Sequence, residues 1–567
     1  MNAANKKLEK TALIAISIAF LIWCAAFIFQ ISLIAMDGKR YFCLFDDAMI
    51  SMRYAWNFSH GMGLVWNEGE YIQGYTNLLM VLLMSLATLL LDKPAAVLSI
   101  QALGAGLMAL IAYISIQIAD YIITPENSPH RALVKILSFF GILSYYPLAY
   151  WSLMGMETGL LTFLVLAGVL SAFRYIESKR PAHLLLASLF FGLAYLTRND
   201  SAIIAFLVWA YIAWEIFAPA SGNNRTGFLP LLAAICLYIA FILGLHVFQH
   251  LYYGEWLPNT YTLKLTGMAL SDRLQNGIGF IIPFLVESAF ILIVACAGVF
   301  LNFQKKKLLF LAIIFSAISY QVYIGGDAWS YWRMAIPAIP LLIVLFTVSV
   351  SNFTLAASRS QLLSAYLAGK KNITQALVIL LVLTGLLLAS VFYQPQIMLQ
   401  KKPFQTEANK DNIKIALALD KLTAPNATVG VFWAGTIPYY TGRKAMDFLG
   451  KSDRYIAQLP PDTSGSISWD NMKSVPGHNK YDLNYSIKSL EPTYIERTKW
   501  GRQDLTEWVK TKYVKVRYNG ATLILLKDSP LVFWDKINAP SPGQPTQSGT
   551  LPLHAAKPWI AYAEQAE

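Results

Sequence analysis

Long apolar runs separated by short polar joints fill the first two thirds of the chain. They fall near 11–35, 76–91, 96–119, 132–152, 157–174, 182–197, 200–217, 228–250, 278–302, 307–324, 334–351 and 373–393. A helix rises about 1.5 Å per residue, so most of these runs can cross a hydrocarbon core of about 30 Å. The pattern predicts a polytopic α-helical membrane domain over residues 1–393. From 394 the apolar runs shorten and Pro, Gly and polar residues rise. Ile415, Ala416, Leu419 and Leu422 share one face, which predicts a helix over 409–422. A strand is expected at 427–432, a turn at 438–442 and another strand at 445–449. Residues 513–516 and 521–526 flank Asn519-Gly520, a strong hairpin signal. The region 394–567 therefore reads as a soluble α/β domain, with a mobile end where Pro, Ser and Gln concentrate over 540–550.

Charge orients the helices. Basic residues at 2–10, 174–180, 305–307 and 359–371 are expected on the cytoplasmic side. The joints 155–157, 198–200, 252–272 and 325–333, the first loop 36–77 and the tail domain then fall together on the other side. Twelve full crossings would return the tail to the cytoplasm. One run between 76 and 119, interrupted by Asp92-Lys93-Pro94, is therefore expected to be re-entrant or interfacial, leaving about 11 crossings.

Composition agrees: of 567 residues 56% are hydrophobic and 14% charged, against about 25% charged in soluble domains. The net charge of +12 sits mostly in joints between apolar runs and is no nucleic-acid signature. Cys24, Cys43, Cys236 and Cys296 form no CxxC pair, which argues against a disulfide framework or structural zinc. The run 11–35 is too long for a cleaved signal. No nucleotide-binding fingerprint or internal repeat is present, which weakens an ATP-driven pump.

The candidate chemistry starts in the first loop, FDDAMISMRYAWNFSHGMGLVWNEGEYIQGYTN over 45–77. Asp46 and Asp47 are adjacent, and neighbouring carboxylates repel, so one tends to hold a proton or bind a cation. Alternatively, Asp46 simply caps the helix that follows. Glu157, in Gly155-Met156-Glu157-Thr158-Gly159, enters an apolar segment, where it either serves a site or meets a helix dipole. Arg198 and Asp200 either pair at a tight turn or leave Arg198 for an anionic group. The segment 252–264 is aromatic and ends in Lys264, a cation at headgroup depth suited to phosphate; its Tyr252, Tyr253, Trp256 and Tyr261 also fit an interfacial belt. Asp327 and Arg333, after Gly325-Gly326, either pair together or line a donor site, with Arg333 on phosphate. In the tail, His478 and Lys480 share a loop and are either structural or directed to a phosphate or sugar hydroxyl.

These motifs resemble those of bacterial GT-C glycosyltransferases, above all the group of the mycobacterial terminal arabinofuranosyltransferase and the flagellar motor control protein ZomB. The first loop, the Gly155–Glu157 segment, LTRND at 196–200, PNTY at 258–261, GGD at 325–327 followed by Arg333, the tail segments 434–442 and 447–450, and GHNK at 477–480 occur in the expected order. Asn479 stands where an acidic residue is expected, and Met49 and Met52 replace aromatic or β-branched residues, which leaves the acceptor open. The resemblance implies a GT-C fold in the bacterial inner membrane, with site and tail facing the periplasm. It also implies inverting transfer of a sugar, such as an arabinofuranose-like pentose, from a polyprenyl-phosphate donor to an envelope glycan or glycolipid. Asp46 and Asp47 become the catalytic pair, with a divalent cation, if one is used, held by either. Arg198, Lys264, Arg333, His478 and Lys480 become donor-binding residues. Arg53, Tyr54, Tyr75, Asn77, Glu157, Asn259, Tyr261 and Asp327 become cavity-lining residues. Two rival readings are a lipid-linked-sugar flippase and a non-catalytic envelope or motility factor. Against a flippase stand the large polar loop, the tail domain and the clustering of motifs on one face.

Overall fold

The computed structural model describes residues 3–217, 227–360 and 370–538. The expected mobile end at 540–550 and most of the basic joint 359–371 lie outside the described residues. Seven described helices are each long and apolar enough to cross a membrane: Lys6–Ile31, Lys93–Ala119, Thr158–Ser178, Phe228–Tyr253, Lys305–Tyr323, Ile336–Arg359 and Lys371–Leu388. Two further pairs are broken spans or re-entrant hairpins, Arg131–Ser144 with Tyr146–Leu153 bent by 54° and Leu270–Glu287 with Ala289–Leu301 bent by 78°. Counting each pair as one span gives up to nine. Pro147 opens the second half of the first pair, where its missing N–H and its ring prevent a continuous helix. Glycine lets some of these helices touch backbone to backbone. A Cβ on Gly104 would lie 2.0 Å from the Ser152 carbonyl oxygen.

Three shorter apolar helices complete the set: Leu78–Leu90, Pro181–Thr197 and Ser201–Phe217. Leu78–Leu90 has 13 residues and so reaches about 20 Å. It lies against the first-loop helix Asp46–Ser59, where Thr88 Oγ1 donates to the Ala55 carbonyl at 3.3 Å. Asn77, at its start, donates to Glu157 at 3.4 Å. Lys93, just past its end, donates to the tail-domain Tyr440 carbonyl at 3.1 Å. Both ends of Leu78–Leu90 therefore lie on the tail-domain face.

The helix ends sort onto two faces. On the tail-domain face, Gln30 donates to the Leu399 carbonyl at 2.9 Å, Arg198 pairs with Glu157 at 2.8 Å, and Asn276 donates to the Ser474 carbonyl at 2.7 Å. On the opposite face, Arg131 pairs with Asp120 at 2.9 Å, Arg174 donates to Gln117 at 2.7 Å, and Lys305 pairs with Glu215 at 3.1 Å.

The tail domain is a five-stranded sheet with helix Thr406–Leu422 beside it. Strands follow the order Lys444–Asp447, Thr428–Val431, Tyr494–Ile495, Ala521–Leu526 and Tyr513–Tyr518. The first three run parallel, and the last two form the expected hairpin. Asn519 at φ 52° and Gly520 at φ 78° close it in the left-handed region that a type I′ turn requires. One expectation fails: 438–442 is not an isolated turn but mostly the end of helix Thr436–Thr441, closed by Gly442 at φ 68°. Pro438 is compatible with that helix because N–H groups of a first turn have no intrahelical partner.

The first loop locks the tail to the membrane domain. Arg53 is buried and donates only to backbone carbonyls, of Trp66, Pro438, Gly442 and Arg443, at 3.0–3.2 Å. The Asn67 side chain pairs with both backbone groups of Ala445 on the edge strand, at 2.8 and 3.0 Å.

Candidate active site

Asp46 and Asp47 open helix Asp46–Ser59, and Phe45 before them is extended. Successive residues on a helix point about 100° apart, so the two carboxylates meet different partners. Asp46 is 1% exposed, and its Oδ1 accepts from the backbone N–H groups of Gly435 and Thr436, both at 3.2 Å. Burial pushes its carboxyl up to about 7, Lys451 partly opposes this, and Asp47 adds repulsion. Gly435 has no room for a side chain, since a Cβ there would sit 2.2 Å from the Asp46 carbonyl oxygen.

Asp47 faces cations. Lys451 Nζ donates to its Oδ1 at 2.5 Å; Arg333 and Trp329 Nε1 both donate to its Oδ2 at 3.3 Å. Burial alone would raise its pKa, but Lys451, Arg333 and Lys264 outweigh that and hold the carboxylate well below its usual range. Asp47 is therefore ionised at neutral pH, whereas Asp46 sits near its midpoint.

Arg333 is oriented by Asp327, which takes its Nε and, at 3.0 Å, its Nη2. The loop that carries them is unusually constrained: Gly325 and Gly326, just before Asp327, lie near φ 89°, and Tyr331 and Trp332, just before Arg333, are also held at positive φ, 70° and 43°. Such backbone costs about 1–3 kcal/mol per non-glycine residue and persists only where the surroundings enforce it. Trp151 Nε1, donating to the Tyr331 carbonyl at 3.2 Å, is one of the groups that enforce it.

Lys451 is equally well positioned. Asp447 accepts from the backbone N–H groups of Leu449, Gly450 and Ser452 at 2.8–3.1 Å, curling the chain around itself. Asn259 clamps the outside of that curl, donating to the carbonyls of Gly450, Lys451 and Asp453 at 2.9–3.2 Å. Asn259 thus positions a cation rather than lining a cavity. Lys451 lies one residue beyond the 447–450 segment singled out in the sequence; its signal there is a glycine turn closing on lysine just after a strand.

Lys264 sits beside this cluster with its stem against Gly477, where an added Cβ would meet Cε at 3.2 Å. Burial, with repulsion from Arg333, lowers its pKa to about 8. Among the described residues its ammonium has no ion-pair partner and no hydrogen-bond acceptor. Asp47 and Asp327 take the direct contacts of Lys451 and Arg333, and Lys264 is left as the cation without a direct partner among the described residues.

The other expected site residues are placed elsewhere. Lys480 gives all three of its hydrogens to the protein, to the Thr262 and Ala457 carbonyls and Thr266 Oγ1 at 2.8–3.0 Å, and none is left for phosphate. His478 is held by burial, and by Lys451, down to about 3, so it offers phosphate no positive charge. Its ring lies 5.3 Å from that of Trp329 and 5.5 Å from that of Trp469, and its Nδ1 has no hydrogen-bond partner among the described residues. Arg198 is committed to Glu157 at 2.8 Å and Asp200 at 2.9 Å. Asn77 bridges Glu157 to Ser51, so these residues brace the helix that carries Asp47. Tyr54 bonds Ile72 and Gly74, Tyr75 bonds Tyr253 at 3.0 Å, and Tyr261 is exposed.

A divalent cation does not fit this arrangement. Among the described residues no three His, Cys, Asp or Glu groups converge. The Asp47 oxygens face an ammonium and a guanidinium, which would repel a metal ion.

A domain family described as "Domain of unknown function (DUF8728)" matches residues 399–533, the core of the tail domain. Among curated proteins, none matches this sequence. Two solved structures share the fold. ArnT from Cupriavidus metallidurans bound to undecaprenyl phosphate aligns with TM-score 0.54 and 10% identity, over 92% of this chain and 98% of that one. The Archaeoglobus fulgidus oligosaccharyltransferase, in a complex with Zn and sulfate, aligns with TM-score 0.51 and 11% identity, over 91% and 73%.

Proposed function

We propose that this protein is a GT-C glycosyltransferase that moves a sugar from a polyprenyl-phosphate donor to an acceptor hydroxyl. The observation that carries the reading is one ionised carboxylate, Asp47, set among Lys451 and Arg333 with the unpaired ammonium of Lys264 beside them. An ammonium without a direct partner among the described residues suits the single negative charge of a phosphodiester donor. The shared fold supports the same reading: ArnT carries undecaprenyl phosphate within a chain of matching extent.

In this mechanism the donor phosphate engages Lys264 and draws Arg333 and Lys451 toward itself. Their hold on Asp47 weakens, and its basicity rises as the acceptor hydroxyl arrives. The hydroxyl oxygen forms a bond to the anomeric carbon, the bond from that carbon to the phosphate oxygen breaks, and the hydroxyl proton passes to Asp47. The cations stabilise the charge that develops on the departing polyprenyl phosphate. Attack opposite the leaving group inverts the anomeric centre. Asp46, occupied by the tail backbone, fixes the helix and keeps Asp47 in place. The sugar implied by the sequence resemblance is a pentose of the arabinofuranose type, and the acceptor a glycan or glycolipid of the cell envelope.

For topology, we propose 11 crossings: the nine spans above with Pro181–Thr197 and Ser201–Phe217, while Leu78–Leu90 lies along the interface. That places the tail domain and site in the periplasm, with the membrane domain ending near 393.

The test is transfer by purified protein in liposomes, with labelled polyprenyl-phosphate sugars and an envelope extract. Label covalently joined to an acceptor with inverted configuration is expected. Donor crossing the bilayer unchanged, with no covalent product, would mean transport instead.

A further inference from the structure

One cavity lies far from the cluster around Asp47, at the opposite helix ends. It has a volume of about 840 Å3 and is enclosed by the start of helix Lys6–Ile31, the end of helix Lys93–Ala119 and the start of helix Arg131–Ser144. A volume of that size is in the range of ligand pockets. Lys6, Lys10, Leu13, Ile14, Ser17 and Ile18 line one wall. Their spacing of three and four puts them on a single helix face. From Lys6 to Ile18 that face runs about 18 Å, cationic at the membrane surface and apolar below it. Tyr113 and Phe139 close the other apolar walls, and Arg131 and Lys135 stand at the polar end.

The charges at that end do not balance. Arg131 and Lys135 both reach Asp120, at 2.9 and 3.1 Å, and Lys135 also reaches Glu9 at 3.2 Å. Lys6 and Lys10 have no ion-pair or hydrogen-bond partner among the described residues. Four cations against two carboxylates leave two positive charges uncompensated. Ile14, Ile18 and Tyr113 are 51%, 54% and 54% exposed, so the apolar length of the groove opens sideways to acyl chains.

We propose that this groove is a binding site for an anionic glycerophospholipid of the leaflet opposite the catalytic face. Its phosphodiester would sit between Lys6, Lys10 and Arg131, and its chains would run along Leu13, Ile14 and Ile18. Charge selects the occupant: two surplus cations favour an anionic head over a zwitterionic one, and basic pockets between helices at a membrane surface take such heads. The site does not depend on the catalytic reading, because it shares no residue with it.

The experiment is native mass spectrometry of the delipidated full-length protein in neutral detergent. It is titrated separately with phosphatidylglycerol, phosphatidylethanolamine, a polyprenyl phosphate and inorganic phosphate. Wild type is compared with the double variant Lys6→Gln, Lys10→Gln and with Ser17→Trp, which fills the groove without touching charge. The expected result is tight phosphatidylglycerol binding, about 30-fold weaker in the double variant and also weakened by Ser17→Trp. Phosphatidylethanolamine and inorganic phosphate should bind weakly and equally to all three proteins. Equal phosphatidylglycerol affinity in wild type and both variants would overturn the proposal. So would a variant-sensitive site that prefers phosphatidylethanolamine, polyprenyl phosphate or free phosphate.

Discussion

Lys451→Met is the most informative single change, because Lys451 joins the tail domain to the loop carboxylate through one contact. Lys451 Nζ is 2.5 Å from Asp47 Oδ1, and the two side chains are 9% and 16% exposed. Removing one member of such a pair costs about 3–5 kcal/mol, because the remaining charge is left buried. Arg333 stays 3.3 Å from the other oxygen of Asp47, so the lower end, about 3 kcal/mol, is expected. The catalytic cost has a second source: a cation aimed at the leaving phosphate is worth about 10²–10³ in kcat. With Lys451 gone, the Asp47 carboxyl rises toward its ordinary range, and the acid limb of the pH–rate profile moves to higher pH. The assay is steady-state transfer of labelled sugar from a polyprenyl-phosphate donor in liposomes. Lys451→Arg should recover part of the rate. Lys444→Met serves as a control, since that lysine is 59% exposed and pairs only with Glu70 among the described residues. A folded Lys451→Met protein with kcat within about threefold of wild type would refute the placement of Lys451 in the catalytic cluster.

Three further outcomes are expected. The folded pKa of Asp46, about 7, lies above the value of about 3.9 for an unfolded chain. The folded state therefore binds more protons between those values, and stability falls as pH rises from about 4 to about 7. Asp46→Asn should abolish that decline, by at most about 4 kcal/mol, measured as thermal unfolding at pH 5 and pH 7.5. Gly435→Ala should loosen the tail from the first loop, since its Cβ has no space, lowering thermal stability by about 1–3 kcal/mol and exposing the tail to limited proteolysis. Lys264, held at about 8, should lose its charge as pH rises through that value. Donor kcat/KM should then fall above pH 8 in wild type, and Lys264→Gln should be weaker throughout without that inflection.

Much of the fold was legible because membrane helices announce themselves by composition. The joints carrying Glu157, Arg198 and Arg333 were expected on the same side as the first loop, and their side chains do meet: Arg198 pairs with Glu157 and Arg333 with Asp47. The Asn519-Gly520 hairpin was legible because few residues tolerate positive φ at two successive positions. What sequence could not supply was the partner of each polar side chain. Arg53 reads as a cavity-lining residue and Lys480 as a phosphate-binding cation along the chain, yet Arg53 donates to backbone carbonyls such as those of Pro438 and Gly442, and Lys480 to the Ala457 and Thr262 carbonyls and the Thr266 hydroxyl. Those partners lie tens to hundreds of positions away. The acidic pair was legible as a pair, but its division of labour depends on which face of one helix turn meets the tail. Asp46 meets the N–H groups of Gly435 and Thr436, and Asp47 meets Lys451.

Side-by-side transfer assays of Asp47→Asn and Asp46→Asn test the central claim most directly. Both proteins should fold, since asparagine at 46 can still accept from Gly435 and Thr436. Asp47→Asn should reduce transfer of labelled sugar by about 10²–10⁴, while Asp46→Asn should stay within about tenfold of wild type, because Asp46 only positions the helix. Transfer by Asp47→Asn at the wild-type rate, or its loss in Asp46→Asn alone, would contradict the assignment of Asp47 as the base.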